Sequence, residues 1–156
     1  MRSGSSLPIK LLMTTALYNR DILRLAASIP HHRRLERPHG SVEKRSPTCG
    51  SRVAVDVMLD GEGRLAGLGQ EVRACALGQA AASLMGAAAL GRSRGELAQA
   101  RDALAAFLNG RREDPGEWPG LDIFRAARPY QARHASILLA FEAVAEAAAL
   151  AEAGRG

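Results

Sequence analysis

Residues 52–75 read RVAVDVMLDGEGRLAGLGQEVRAC, and this stretch decides the fold. Val53, Val55, Val57 and Leu59 alternate with Arg52, Ala54, Asp56 and Met58. A period of two is the pattern of a strand with one face on a core, so the spacing predicts a half-buried strand. Asp60-Gly61 follows as a hairpin turn signal, with Gly63 just beyond. Leu65, Leu68 and Val72 then belong to the returning strand, which Gly67 and Gly69 weaken or bulge.

On either side of the hairpin the period changes to that of helices. Tyr18, Ile22, Leu25 and Ile29 recur at helical spacing and stop at Pro30. Residues 31–47 are polar and basic and read as a loop or an edge strand. From Ala76 to Leu90 small residues predict a buried helix, with Gly91 where a C-terminal cap would sit. Ser93 followed by Glu96 is a capping box for the next helix. Leu97, Leu104 and Leu108 mark its buried face, and Gly110 ends it. Residues 111–120, with Trp118, read as a loop, and a short helical turn runs through Leu121 to Phe124. A last helix starts near Pro129 and shows Ile137, Phe141, Val144 and Ala148 on one face. The order helix, strands, helices predicts an α+β fold, with helices packed on one face of a small antiparallel sheet.

Composition supports this reading. A chain of 156 residues fits one domain with a sizeable core. Hydrophobic residues at 47% exclude a disordered chain, and aromatics at 4% leave the core to aliphatics. About a fifth of the residues are Ala, which suits close-packed helices better than a large β-sandwich. Two cysteines exclude a disulfide-stapled scaffold and a self-contained four-cysteine zinc site. Residues 1–60 hold ten Lys and Arg against five Asp and Glu, and the rest of the chain balances. The whole net charge of +5 therefore lies in that first part. It reads as a solvated basic face or a docking surface for an acidic partner. No aromatics interleave with the arginines and no recognition motif occurs, so nucleic acid is not expected as a partner. Residues 74–90 are too small and polar to span a bilayer, so no membrane association is expected. Residues 1–16 read as a flexible tail without a secretory pattern, and residues 17–153 as a single domain. Cytoplasm, with both thiols reduced, is the expected location.

The candidate chemistry centres on the thiols. Cys49 lies in Pro47-Thr48-Cys49-Gly50-Ser51, at a turn leading into a strand. Cys75 stands where a strand meets a helix N-terminus, beside free amides and the positive end of the helix dipole. Thiolate is the form that binds metal or attacks sulfur. Gly-rich phosphate loops and acid/base constellations are absent, so classical enzyme activity is not expected.

Pro47-Thr48-Cys49-Gly50, a hairpin, and then Cys75-Ala76-Leu77-Gly78-Gln79-Ala80-Ala81-Ala82-Ser83-Leu84-Met85 together resemble the iron–sulfur cluster assembly scaffolds of the NifU N-terminal, IscU and SufU type. That family carries a P-x-C-G-D turn and a second cysteine opening a helix of the form C-x-x-S-x-A-S-x-S-x-M. Residues 18–30 look like its first helix, and residues 133–141 are similar to the region of its third cysteine. The resemblance covers about residues 17–150. It implies a three-stranded antiparallel sheet with helices on one face.

It also implies a ligand set of three cysteines and one aspartate for a cluster or zinc. Cys49 and Cys75 match the first two cysteines. Ser51 stands at the aspartate, and Ser136 aligns with the third cysteine. A shift of one residue matches His134 instead to the histidine that precedes that cysteine. Two thiolates favour iron or zinc, and an imidazole is an acceptable third ligand, whereas a neutral serine hydroxyl is poor. A stable [2Fe–2S] cluster needs four good ligands. A transient cluster or iron, a cluster shared between two protomers of a homodimer, or one completed by a partner's thiol is therefore the expected cargo. The resemblance implies a cysteine desulfurase and recipient apo-proteins as partners. Its SufU branch implies a persulfide acceptor as an alternative. The missing ligands leave a third reading, a protein-binding member of the fold that holds no metal.

Overall fold

The structure is a computed structural model that describes residues 18–47 and 50–155. The predicted tail, residues 1–16, and Cys49 lie outside the described residues. The elements are α1 (Arg20–Ala26), β1 (Gly40–Arg45), β2 (Arg52–Leu59), β3 (Leu65–Arg73), α2 (Ala76–Ala88), α3 (Arg94–Leu108), a 3-10 turn (Leu121–Ala127) and α4 (Gln131–Arg155). The strands form an antiparallel sheet in the order β1-β2-β3. This is the α+β fold that the sequence predicts.

Val55 of β2 pairs with Val42 of β1 and Gln70 of β3, and Val53 pairs with Lys44 and Val72. These residues share one face, since side chains in register point the same way. Helix α4 lies across it over β1 and β2, and α2 and α3 pack on α4. Ile137, Phe141, Val144 and Ala148 of α4 are all buried, as are Ala143, Ala147 and Ala151. A helix touched on several sides needs small residues almost all round, which explains its Ala content. Gly40 sits under α4 where a Cβ would run into Ala147 O and Ala151 N. The capping box forms as predicted, with Ser93 Oγ accepting from Glu96 N and the Glu96 carboxylate accepting from Ser93 N.

The opposite face of the sheet departs from the half-buried pattern. Ala54 and Asp56 point away from α4 yet are 4% and 0% exposed. Residues 31–37 cross this face as a strap. Arg34 donates from Nε and Nη2 to the two Asp56 oxygens at 2.8 and 2.9 Å. Leu35 N donates to Asp56 Oδ2 at 2.9 Å, and Ser41 Oγ donates to Oδ1. Gly69, opposite Asp56 on β3, leaves the room through which Arg33 O and Leu35 approach the sheet. The strap also closes the edge of β3: Gln70 N donates to His31 O and Val72 N to His32 Nε2. Burial raises the Asp56 pKa, but the hydrogen bonds from Arg34, Ser41 and Leu35 and the Arg34 charge outweigh it. The carboxyl is held below its ordinary value.

Smaller differences have local causes. The first helix is only Arg20–Ala26, opened by Asn19 Oδ1 accepting from Ile22 N at 3.0 Å. Ile29 packs on the core from beyond its end. Residues 40–45 of the basic stretch are the edge strand, and the residues before them are the strap. Trp118 lies in the predicted loop but is buried, donating from Nε1 to Leu84 O at 2.9 Å. Among the described residues no helix is long and apolar enough to cross a membrane.

Candidate functional site

Three chain segments converge at one end of the sheet. The turn into β2 is closed by Gly50 N donating to Ser46 O and Ser46 N donating to Ser51 O. Gly50 has φ +74°, a conformation that glycine adopts without strain. The turn delivers Ser51, which is 3% exposed, under the start of α4. Beyond β3 the chain passes through Ala74 to Cys75, the residue that opens α2. Its side chain makes no capping hydrogen bond to the helix. It is half-buried and carries a free thiol. Ser136, on the second turn of α4, is 2% exposed.

These side chains touch. Ser136 Oγ is 3.2 Å from Cys75 Sγ and 3.1 Å from Ser51 Oγ. A serine hydroxyl has a single proton to give. When Cys75 is a thiolate it can only accept, so Ser136 donates to it and Ser51 donates in turn to Ser136. The contact depends on close approach of α2 to α4. Gly78, one turn into α2, has no side chain, and a Cβ there would meet Ser136 Oγ at 2.7 Å.

The structure thus brings Ser51 and Ser136 to Cys75. His134 lies elsewhere: its Nε2–H is shared between Ala127 O at 3.0 Å and Arg128 O at 3.1 Å, tying the start of α4 to the end of the 3-10 turn. Cys49 lies outside the described residues. Among the described residues no three His, Cys, Asp or Glu side chains gather as a metal site. What Cys75 has beside it is hydroxyl, which donates hydrogen bonds well and ligates soft metals poorly. Gly78 escaped the reading of the sequence, although its place three residues after Cys75 puts it on the same helix face.

No protein-family model and no curated protein matches the chain. Solved structures do. A nitrogen-fixing NifU-like protein (N-terminal part) from Brucella abortus superposes with a TM-score of 0.84 at 35% identity, covering 90% of this chain and 98% of that one. A protein from thermophilic Fervidobacterium islandicum AW-1, described as an iron–sulfur cluster assembly scaffold for the SUF system, superposes with a TM-score of 0.79. It is 20% identical, and the match covers 86% of this chain and 98% of that one. At that identity the second match speaks for the fold, while the first reaches the level of family. The chain belongs to the NifU N-terminal/IscU/SufU-type family.

Proposed function

We propose that the chain is a scaffold-like carrier in iron–sulfur cluster assembly. It takes up iron or sulfur transiently on Cys49 and Cys75 and passes it to recipient apo-proteins. The observation that carries this reading is the meeting of Ser51, Cys75 and Ser136 at one point. Those residues match the family's aspartate, second cysteine and third cysteine. Hydroxyls in place of carboxylate and thiolate hold a metal weakly, which suits cargo that must leave. Zinc would meet the same two thiols. His134 becomes a ligand only by giving up its two carbonyl partners. Two protomers side by side would supply four thiols, the number a [2Fe–2S] cluster takes. Anaerobic reconstitution with iron and sulfide tests the reading. The wild type takes up iron with a cluster absorption band, and Cys49→Ala/Cys75→Ala does not. Equal uptake by both overturns it.

The hydroxyl contacts favour a second reading, a persulfide acceptor. The Cys75 thiolate attacks the terminal sulfur of a donor cysteine persulfide. A new S–S bond forms on Cys75, the donor's S–S bond breaks, and the donor leaves as thiolate. No external oxidant is needed. The hydroxyl of Ser136 is placed to donate to the anionic sulfur before and after transfer. Peptide-resolved mass spectrometry after incubation with a cysteine desulfurase and cysteine tests this. An added sulfur on Cys75 supports it, and an unmodified Cys75 overturns it.

A further inference from the structure

On the outer face of the sheet, at the end from which the site residues spring, three arginines stand in one cross-strand row. Arg45 of β1 pairs with Arg52 of β2, and Arg52 pairs with Arg73 of β3. Arg52 follows Ser51 directly, and Arg73 precedes Cys75 by two residues. Like charges directly opposite one another on a sheet repel, so the row is unfavourable for the fold alone. It is only partly neutralised. Glu43 serves two members, at 3.1 Å from Arg45 and 3.9 Å from Arg52. Arg73 is exposed and makes no ion pair among the described residues. Among the described residues no strap covers this row, in contrast to the row at Asp56.

We propose that Arg45, Arg52 and Arg73 form a docking surface for an acidic segment of the protein that delivers sulfur to Cys75. The proposal rests on the sulfur-acceptor reading and names the surface that serves it. Three guanidinium groups side by side offer forked donors to successive carboxylates along an extended chain. Their position beside Ser51 and Cys75 keeps a bound segment at the rim of the site. The surface favours a protein over nucleic acid. No aromatic side chain of β1, β2 or β3 offers a base a stacking platform.

The test measures sulfur transfer to Cys75 from a cysteine desulfurase of the same cell, with direct binding followed in parallel. The full-length variant Arg45→Gln/Arg52→Gln/Arg73→Gln raises the KM for the carrier roughly tenfold. The corresponding triple Lys variant recovers most of the loss, and added salt brings the wild type toward the Gln variant. Alkylation of Cys75 by neutral iodoacetamide proceeds equally in all three proteins, which shows that the fold and the thiol are intact. A KM unchanged in the Gln variant overturns the docking surface. So does a single-stranded oligonucleotide that competes for the row as effectively as the desulfurase. Charge-dependent binding without any transfer supports the surface and overturns the sulfur-acceptor reading, so the two failures are distinguishable.

Discussion

Two cross-strand rows lie on the same outer face of the sheet. One is Ser41, Asp56 and Gly69; the other is Arg45, Arg52 and Arg73. The first holds one negative charge, fully buried, met by a guanidinium, a hydroxyl and a backbone amide. The second holds three positive charges, with one carboxylate for two of them. Burial separates the two cases. A charge taken out of water must be matched by its neighbours, whereas an exposed one need not be. The Asp56 row is therefore organised for the fold, and the arginine row is free to serve a partner.

The contrast sharpens under mutation. Asp56→Ala leaves Arg34, Ser41 and Leu35 N without their acceptor and releases the strap. A stability loss of about 3 kcal/mol is expected in urea denaturation followed by circular dichroism. A loss below about 1 kcal/mol would show that the strap is held by apolar packing instead. Gly69→Ala attacks the same row from β3 by pushing a methyl group into Arg33 O and Leu35. Overpacking there costs about 2 kcal/mol.

Acid tests the charge itself. Asp56 has a folded pKa below the ordinary 3.8, so the stability it lends is complete above that value. That stability is lost as pH falls through the lower folded value. Asp56→Asn therefore flattens the fall in stability below pH 3.8 relative to the wild type. An equally steep fall in both proteins would assign the acid sensitivity elsewhere. The smallest effect belongs to the arginine row. Arg45→Gln/Arg52→Gln/Arg73→Gln changes stability by less than about 1 kcal/mol, in the stabilising direction at low salt. A marked loss would make the row structural and end its contrast with Asp56.

The rows also show what was legible in the sequence. The hairpin, the capping box, the helix opening at Cys75 and the buried face of α4 all follow from local patterns of two to four residues. Asp56 did not, because alternation assigns it to the solvent side. Its cover comes from residues 31–37, a stretch with no period to announce it. Ser136 was legible as a candidate, but a one-residue ambiguity left His134 beside it. The rotation of α4 decides which of the two meets Cys75. That rotation depends on α2 coming close at Gly78, a contact between residues 58 positions apart. Trp118 was assigned to a loop correctly, yet nothing local marks it as core.

That tryptophan has an optical consequence. It is the only one in the chain. Its indole donates to Leu84 of α2, and its ring meets Phe141 of α4 edge-on at 5.2 Å, with Arg92 over its face at 4.1 Å. Its fluorescence therefore reports on the helical layer alone, without any label. The strap on the far side of the sheet is silent to it. Loosening the Asp56 row while the helices hold would change hydrogen exchange along β3 and leave the emission wavelength in place. Coincident changes in both signals would mean that the strap and the helical layer unfold as one cooperative unit.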